Sequence, residues 1–462
     1  MVRRLTRKYW IDRRSMRDDV PGQEWTGRLR SLLGFREERV DALFLNEAAA
    51  TFATKGLGLV VGFASQIVIA NAVGTTEYGY YVYSMSWFAL LIMLSVAGLP
   101  ATAIRFIPEY LGRSQSGHAR GFLFSSQIIA LCTAIAVGVV GLVIVEGQSS
   151  GVAPGLRATL LAMFAVLPIV AVSNIQIAAV RAVKRAALAE LLGTLVRPVL
   201  LVVGLLALVA FGFRFNAVEV VVVFGIASIL ILVASYTAVM QTVAIDKTAL
   251  RVHELRRWIA FSVPLLFISG VNIVLKRLDV LMLGSMVGTD ASGIYGAATK
   301  LAEVVLLPLA ATNAIVAPLI SQFKSGGDSA LLEPLLRRSA RILLVITLAI
   351  GIALWMLSTV LLSWFGPDFA AGVSPLRVLL IAQIVNAAAG SVGYLLIMLD
   401  KGRVVAVFLS ITVVLNFVLN WVLIPKYGMV GAAYATGTAT ILWNVALVVY
   451  AQRQYGIRTT AF

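Results

Sequence analysis

Residues 287–297 read VGTDASGIYGA, and residues 73–83 read VGTTEYGYYVY. Val287, Gly288, Thr289, Gly293 and Tyr295 match Val73, Gly74, Thr75, Gly79 and Tyr81 at one constant offset. Each stretch follows an apolar run of the length, about 20 residues, that crosses a bilayer as a helix. Each is followed by a second such run with two prolines, Pro100 and Pro108 in one, Pro308 and Pro318 in the other. Recurrence of turn, tyrosine and paired prolines in the same order marks an internal repeat. A proline inside a helix removes a hydrogen bond and bends it, so the second run of each half is expected to be bent.

Working outward, about twelve apolar stretches fill the chain: roughly 48–72, 80–104, 121–146, 158–182, 187–212, 217–242, 259–287, 296–322, 341–364, 374–398, 404–424 and 430–451. The chain is 60% hydrophobic and only 13% charged, with a mean hydropathy of +0.93. Soluble domains are nearer half apolar and about a quarter charged. The expected fold is an all-α polytopic membrane protein of about twelve transmembrane helices. Six spans is an even number, so the two six-helix bundles share one orientation. They would be related by a parallel pseudo-two-fold repeat around a central, water-accessible cavity. The expected organisation is a basic cytoplasmic tail over 1–45, bundles over 46–245 and 259–462, and a cytoplasmic connector over 246–258.

Orientation follows from the cations. With the N-terminus cytoplasmic, 16 Lys and Arg fall in inside loops, against Arg157, Arg214, Arg377 and Lys426 outside. That asymmetry is the positive-inside rule. It accounts for most of the net charge of +16, together with attraction to anionic membrane lipids. Because these residues hug the membrane and do not cover one soluble face, no nucleic-acid partner is expected. The first 45 residues carry 11 Arg and Lys. Trp25, Leu29, Leu32, Leu33, Val40 and Leu43 have the spacing of an amphipathic surface helix, a plain basic tail being the alternative. Cys132 is the one cysteine; it excludes an intrachain disulfide and reads as packing. His118 and His253, the only histidines, fall in inside loops and no metal or catalytic role is expected for them.

The sharpest feature is NIVLKRLDVLMLGSMVG, residues 272–288, which puts Lys276, Arg277 and Asp279 inside a membrane span. Each such charge costs roughly 2.5–3.5 kcal/mol on insertion scales. Lys276 and Asp279 are three apart and share a helix face, as do Lys300 and Glu303 in the next span, so each couple is expected to pair. That leaves Arg277 over. The repeat-equivalent positions of the first half are Gly62, Phe63 and Ser65, so building the fold does not need these charges. Lys55 in the first span and Arg197 in the fifth join the set. Five cations against Asp279 and Glu303 leave a positive balance that suits an anion, and a fork-shaped guanidinium suits phosphate. Snorkelling is the alternative for Lys55, Arg197 and Arg105. Asp279 and Glu303 are candidates for balancing charge or coupling to a proton or sodium ion. Tyr78, Tyr80, Tyr81 and Tyr83 read as an interface belt, with sugar stacking as the alternative.

No phosphate-binding G-x-x-x-x-G-K-[ST] loop occurs, and no nucleophile, histidine and acid converge on one side. The chain is expected to be no enzyme and to need no cofactor, and no catalytic or metal-ligating residue is assigned.

Three pieces together resemble the Wzx-type oligosaccharide flippases of the multidrug/oligosaccharidyl-lipid/polysaccharide exporter superfamily. They are KRLD at 276–279, the following VGTDASGIYGAATKLAEVVLLPLAATNAIVAPLI, and LIPKYGMVGAAYAT at 423–436. The resemblance covers roughly 46–452. It implies alternating access by two six-helix bundles in the cell (cytoplasmic) membrane, and a polyprenyl-pyrophosphate-linked oligosaccharide as cargo for cell-surface polysaccharide biosynthesis. It also implies a cationic cavity holding the pyrophosphate, with Lys276, Arg277, Asp279 and Lys300 at the matching positions. A polysaccharide polymerase or chain-length machinery is the protein partner expected beside such a carrier. The competing class is a cation-coupled multidrug or small-metabolite antiporter of the same superfamily, which needs acidic substrate sites. A membrane glycosyl-transfer enzyme would need a large outer loop with catalytic groups. The long basic tail goes beyond the family pattern.

Overall fold

A computed structural model describes residues 23–148, 151–213, 216–243, 246, 248–313, 316, 320, 332–457 and 459–461; for 23–46, 48 and 332 it describes the backbone alone. Arg214, Lys247, Pro318, Lys324 and the amphipathic face expected within 1–45 lie outside the described residues or side chains. Among the described residues nine helices are long and apolar enough to cross a membrane, ten when a bent pair counts as one. Two of the nine are each two helices joined across a non-helical glycine, Gly74 and Gly428, which brings the spans to the twelve expected.

In chain order they are α1 (23–73), α2 (75–112, interrupted at Ala97 and Gly98), α3 (Ser116–Gly147), α4 (Pro154–Ala182), α5 (Ala186–Ala210) and α6 (Ala217–Thr242). After the connector come α7 (Leu255–Met286), α8 (Thr289–Val304 with Leu307–Asn313), α9 (Leu332–Met356, continued by Ser358–Ser363), α10 (Pro367–Ala389, continued by Val392–Met398), α11 (402–427) and α12 (429–455).

The repeat is visible in the backbone. Gly74 has φ 80, ψ 176 and Gly288 has φ 133, ψ 160. That region is open essentially to glycine alone, so both halves turn from first to second span at the same residue. Both second spans then break before a proline. α2 breaks at Ala97 and Gly98, ahead of Pro100, and α8 bends by 45° between Val304 and Leu307, ahead of Pro308. The second span is thus longer than the stretch 80–104 suggests, running from 75 to 112.

Lipid tails are as apolar as leucine, so these helices associate by close packing and hydrogen bonding. The halves meet along α2 and α7. A Cβ on Gly98 would lie 2.3 Å from the Ser262 carbonyl oxygen, and one on Gly270 3.1 Å from the Met93 sulfur. At the end opposite the connector the halves meet again. The Asn71 side chain donates to the Trp364 carbonyl and the Thr75 hydroxyl to Asp368 (2.8 Å). Tyr78 packs edge-on against Phe365 and Phe369. Tyr78 and Tyr81 are therefore buried at the join, a correction to the interface-belt expectation: packing between halves removes them from the headgroup layer. Cys132 is exposed and not packed.

A break in a membrane helix frees carbonyls that no water can satisfy. At Gly390 in α10 the chain supplies partners itself: Ala461 N–H donates to Ala388 O (3.0 Å) and the Thr459 hydroxyl to Ala389 O (3.2 Å).

Candidate functional site: charges inside the spans

Asp279 does not pair with Lys276. Its carboxylate turns into the second bundle, is only 6% exposed, and accepts from Tyr295 Oη (2.9 Å), Asn420 Nδ2 (2.8 Å) and the Thr436 hydroxyl. Asn420 Nδ2 also donates to Asn416 Oδ1 (3.0 Å), and Asn416 Nδ2 to Thr436 Oγ1 (3.1 Å), which closes a ring across α7, α11 and α12. The physical reason is competition. Several neutral donors stabilise a buried carboxylate without the desolvation of a second ion, while Lys276 stays exposed. Asn420 Oδ1 is buried without a partner. Carboxylate, amide and hydroxyl oxygens at one point suit a proton or a hard cation.

The Lys300–Glu303 pair forms as expected (2.7 Å), with both groups partly exposed. Lys55 is not a free cation. It lies 3.5 Å from Glu190, a buried carboxylate that also binds Arg181 at 2.9 Å. Glu190 opens a π-helical turn over Leu191–Leu195 in α5. Such turns recur at functional sites, and a lone acid in an apolar span is a signal the sequence offered. Asn416 and Asn420, one turn apart in α11, were equally visible.

Arg197 has Nε and Nη2 buried without hydrogen-bond partners, and its guanidinium lies 5.6 Å from the Phe224 ring centroid. Its depth can be read from packing. α1 and α5 run side by side, with Lys55 level with Glu190 and Gly58 against Thr194, whose carbonyl oxygen would be 3.0 Å from a Cβ there. One turn further, Arg197 is level with Gly62, the repeat equivalent of Lys276. Arg277 is half-buried and within electrostatic reach of Tyr81. Among the described residues no carboxylate lies within ion-pair distance of Lys276, Arg277 or Arg197. Self-neutralisation removes Lys55 and Lys300 from the expected set of five, and three uncompensated cations remain. No cluster of metal-ligating side chains occurs among the described residues.

A family model described as polysaccharide biosynthesis protein matches residues 44–324, and one described as MatE matches residues 264–422. A probable low-salt glycan biosynthesis flippase, Agl15 of Haloferax volcanii, is 29% identical over 161 residues, 34% of this chain and 34% of that protein. The match thus spans about a third of that relative's length. Among solved structures, the lipid II flippase MurJ in an inward closed conformation superposes with a TM-score of 0.68 at 15% identity, over 88% of this chain and 87% of that one. An inward-facing multidrug resistance MATE transporter of the MOP superfamily gives 0.67 at 15% identity, over 85% and 98%. These two likenesses concern the fold.

Proposed function

Because the chain belongs to the polysaccharide biosynthesis protein family, we propose that it is a flippase carrying a polyprenyl-pyrophosphate-linked oligosaccharide from the cytoplasmic to the outer leaflet of the cell membrane. The observation that carries this reading is the set of three membrane-depth cations, Lys276, Arg277 and Arg197, without a carboxylate partner among the described residues. An unpaired charge at that depth is costly unless a wet cavity or an anionic ligand compensates it. A pyrophosphate supplies the matching charge: Arg277 grips two oxygens with its fork, Lys276 and Arg197 add attraction from both halves. Lys300 and Lys55 join only by leaving Glu303 and Glu190.

Bundles 46–245 and 259–462 move about a central cavity, with 246–258 as connector and 1–45 as a peripheral tail. The N-terminus and connector are cytoplasmic, as the basic loops favour. Asp279, set in its ring, is the coupling site for a proton or sodium ion. A polysaccharide polymerase or chain-length machinery receives the translocated unit. A multidrug antiporter would need an acid facing its cationic substrate. Glu190 and Glu303 are both paired with cations and Asp279 faces its own bundle, which disfavours that alternative.

The test is leaflet transfer of a pyrophosphate-linked lipid in reconstituted vesicles, alongside protein yield. Arg277→Ala should insert normally and transfer at least about tenfold more slowly, equivalent to about 1.4 kcal/mol. Arg277→Lys should recover part of the rate. Transfer by Arg277→Ala at the wild-type rate overturns the anion-site reading.

A further inference from the structure

The connector does more than join the bundles. Its backbone is pinned to α3: Val252 N–H donates to Gly117 O (3.0 Å), Arg120 to Ala249 O (2.8 Å), and His253 Nδ1 lies 2.8 Å from Ser125 Oγ. A Cβ on Gly121 would fall 1.9 Å from the Val252 carbonyl oxygen, so the helix is notched to seat the strap.

Pinning the strap fixes what points away from it. Leu250 is 87% exposed, more than any other large apolar side chain among the described residues. Next to it, the Arg251 guanidinium lies 3.8 Å from the ring centroid of Phe124, itself exposed on the outer surface of α3. An open cleft of about 600 Å³ follows, lined by His253, Glu254, Leu255, Arg256, Arg257 and Ala260. Arg257 is bound to Glu254 and Glu109, whereas Arg251 and Arg256 have no carboxylate partner among the described residues. From the cleft, exposed Leu255, Ile259, Val263 and Phe267 follow at four-residue spacing down α7, which is one face of a helix.

We propose that this strap and cleft bind an anionic phospholipid of the leaflet at the connector end, cytoplasmic in the orientation given above. Arg251 and Arg256 hold the headgroup phosphate, Leu250 dips among the acyl chains beside it, and one acyl chain lies along Leu255, Ile259, Val263 and Phe267. A basic head above an apolar track has the shape and polarity of a lipid. The ligand is a resident phospholipid and not the transported lipid. The backbones of α2 and α7 touch at Gly98 and Ser262, two residues beyond Ala260 in the cleft wall, so at that point direct helix contact stands between the cleft and the space between the bundles. The site is independent of the flippase reading.

The test is native mass spectrometry of the full chain titrated with phosphatidylglycerol or phosphatidylcholine of the same acyl chains. The wild type should retain phosphatidylglycerol preferentially. Removing both cations in Arg251→Gln/Arg256→Gln should weaken that binding by about 25-fold, the order expected for two basic groups at a membrane surface, with no loss of unfolding temperature in lipid-free detergent. Leu250→Ser should weaken both lipids alike. Equal retention of the two lipids by the wild type overturns the proposal without need of a variant, as does unchanged binding in the double variant. Displacement by an equimolar short-chain polyprenyl pyrophosphate overturns it too, by making this a cargo site. Transfer assays on Arg277→Ala are unaffected by any of these outcomes, so the two readings fail separately.

Discussion

A Cβ built on Gly293 would lie 2.9 Å from the Cα of Gly79, and one built on Gly79 would lie 2.3 Å from the Thr289 carbonyl oxygen. The two glycines are repeat mates, so the pseudo-two-fold axis runs between them and α2 and α8 touch backbone to backbone. Gly79→Ala should therefore push the halves apart at this end. Overpacking of this kind costs about 1–3 kcal/mol, or roughly a five- to 150-fold change in the ratio of closed to open molecules. Disulfide trapping of Thr75→Cys with Asp368→Cys, whose native side chains are hydrogen-bonded at 2.8 Å, reads that ratio. The background should carry Cys132→Ser, since Cys132 is exposed. Trapping as fast in Gly79→Ala as without it would mean that the contact does not hold this end shut.

The triad of Glu190, Arg181 and Lys55 predicts an order of effects. Arg181 makes the direct hydrogen bond at 2.9 Å and Lys55, 55% exposed, stands at 3.5 Å. Arg181→Ala should cost about 1.5–3 kcal/mol, the range for a hydrogen bond to a charged group. Lys55→Ala should cost under about 1 kcal/mol, as for an exposed pair. Thermal unfolding in one detergent compares them. If Lys55→Ala keeps its stability but loses transfer, Lys55 contacts substrate as its position in the sequence suggests.

The part of the fold that was legible in the sequence rests on residues with a backbone reason. Gly74 and Gly288 carry conformations that other residues avoid, so the turn had to recur as glycine in both halves. The site was legible only in part. Lys276 and Asp279 are neighbours on a helix face, and sequence spacing can propose no nearer partner. The actual partners, Asn420 and Thr436, lie 141 and 157 residues away and reach Asp279 through packing of α11 and α12 on α7. Likewise Tyr78 clusters with other tyrosines at a span end, and nothing in that spacing says the opposite half will cover it. Glu190 is different: a single acid in an apolar span was visible, but its cationic partners, Arg181 of α4 and Lys55 of α1, reach it only through packing.

Asp279→Asn keeps the shape of the ring and removes its charge. The variant should insert normally and still equilibrate substrate between leaflets. It should lose any acceleration by an imposed proton or sodium gradient. Asn420→Ala withdraws one donor from a buried carboxylate and should destabilise by about 1.5–3 kcal/mol. Vesicles with each gradient imposed in turn separate the effects. A full gradient response in Asp279→Asn would move the coupling site elsewhere, Glu303 being the next acid at that depth.

At the connector the pH response has a definite sign. The Tyr110 hydroxyl donates to Glu254 (2.6 Å) and holds its carboxyl below the usual glutamate range, with Arg257 (3.0 Å) adding to the effect and His118 standing 3.6 Å away. A carboxylate depressed on folding adds stability that is fully present above its unfolded value, about 4.3, and lost as pH falls through the folded value. Glu254 joins the start of α7 to Tyr110 of α2, and Trp258 Nε1 donates to the same hydroxyl (2.8 Å), so this stability belongs to the seam between the halves. Wild type and Glu254→Gln should therefore differ in unfolding temperature at pH 7, with the gap closing as pH falls below about 4. Tyr110→Phe removes the largest cause of the depression. It should move the closing of the gap upward, toward the ordinary glutamate value. A gap that is the same at pH 7 and at about pH 3 would show that the charge of Glu254 contributes nothing to the seam and that its hydrogen-bonding shape alone matters.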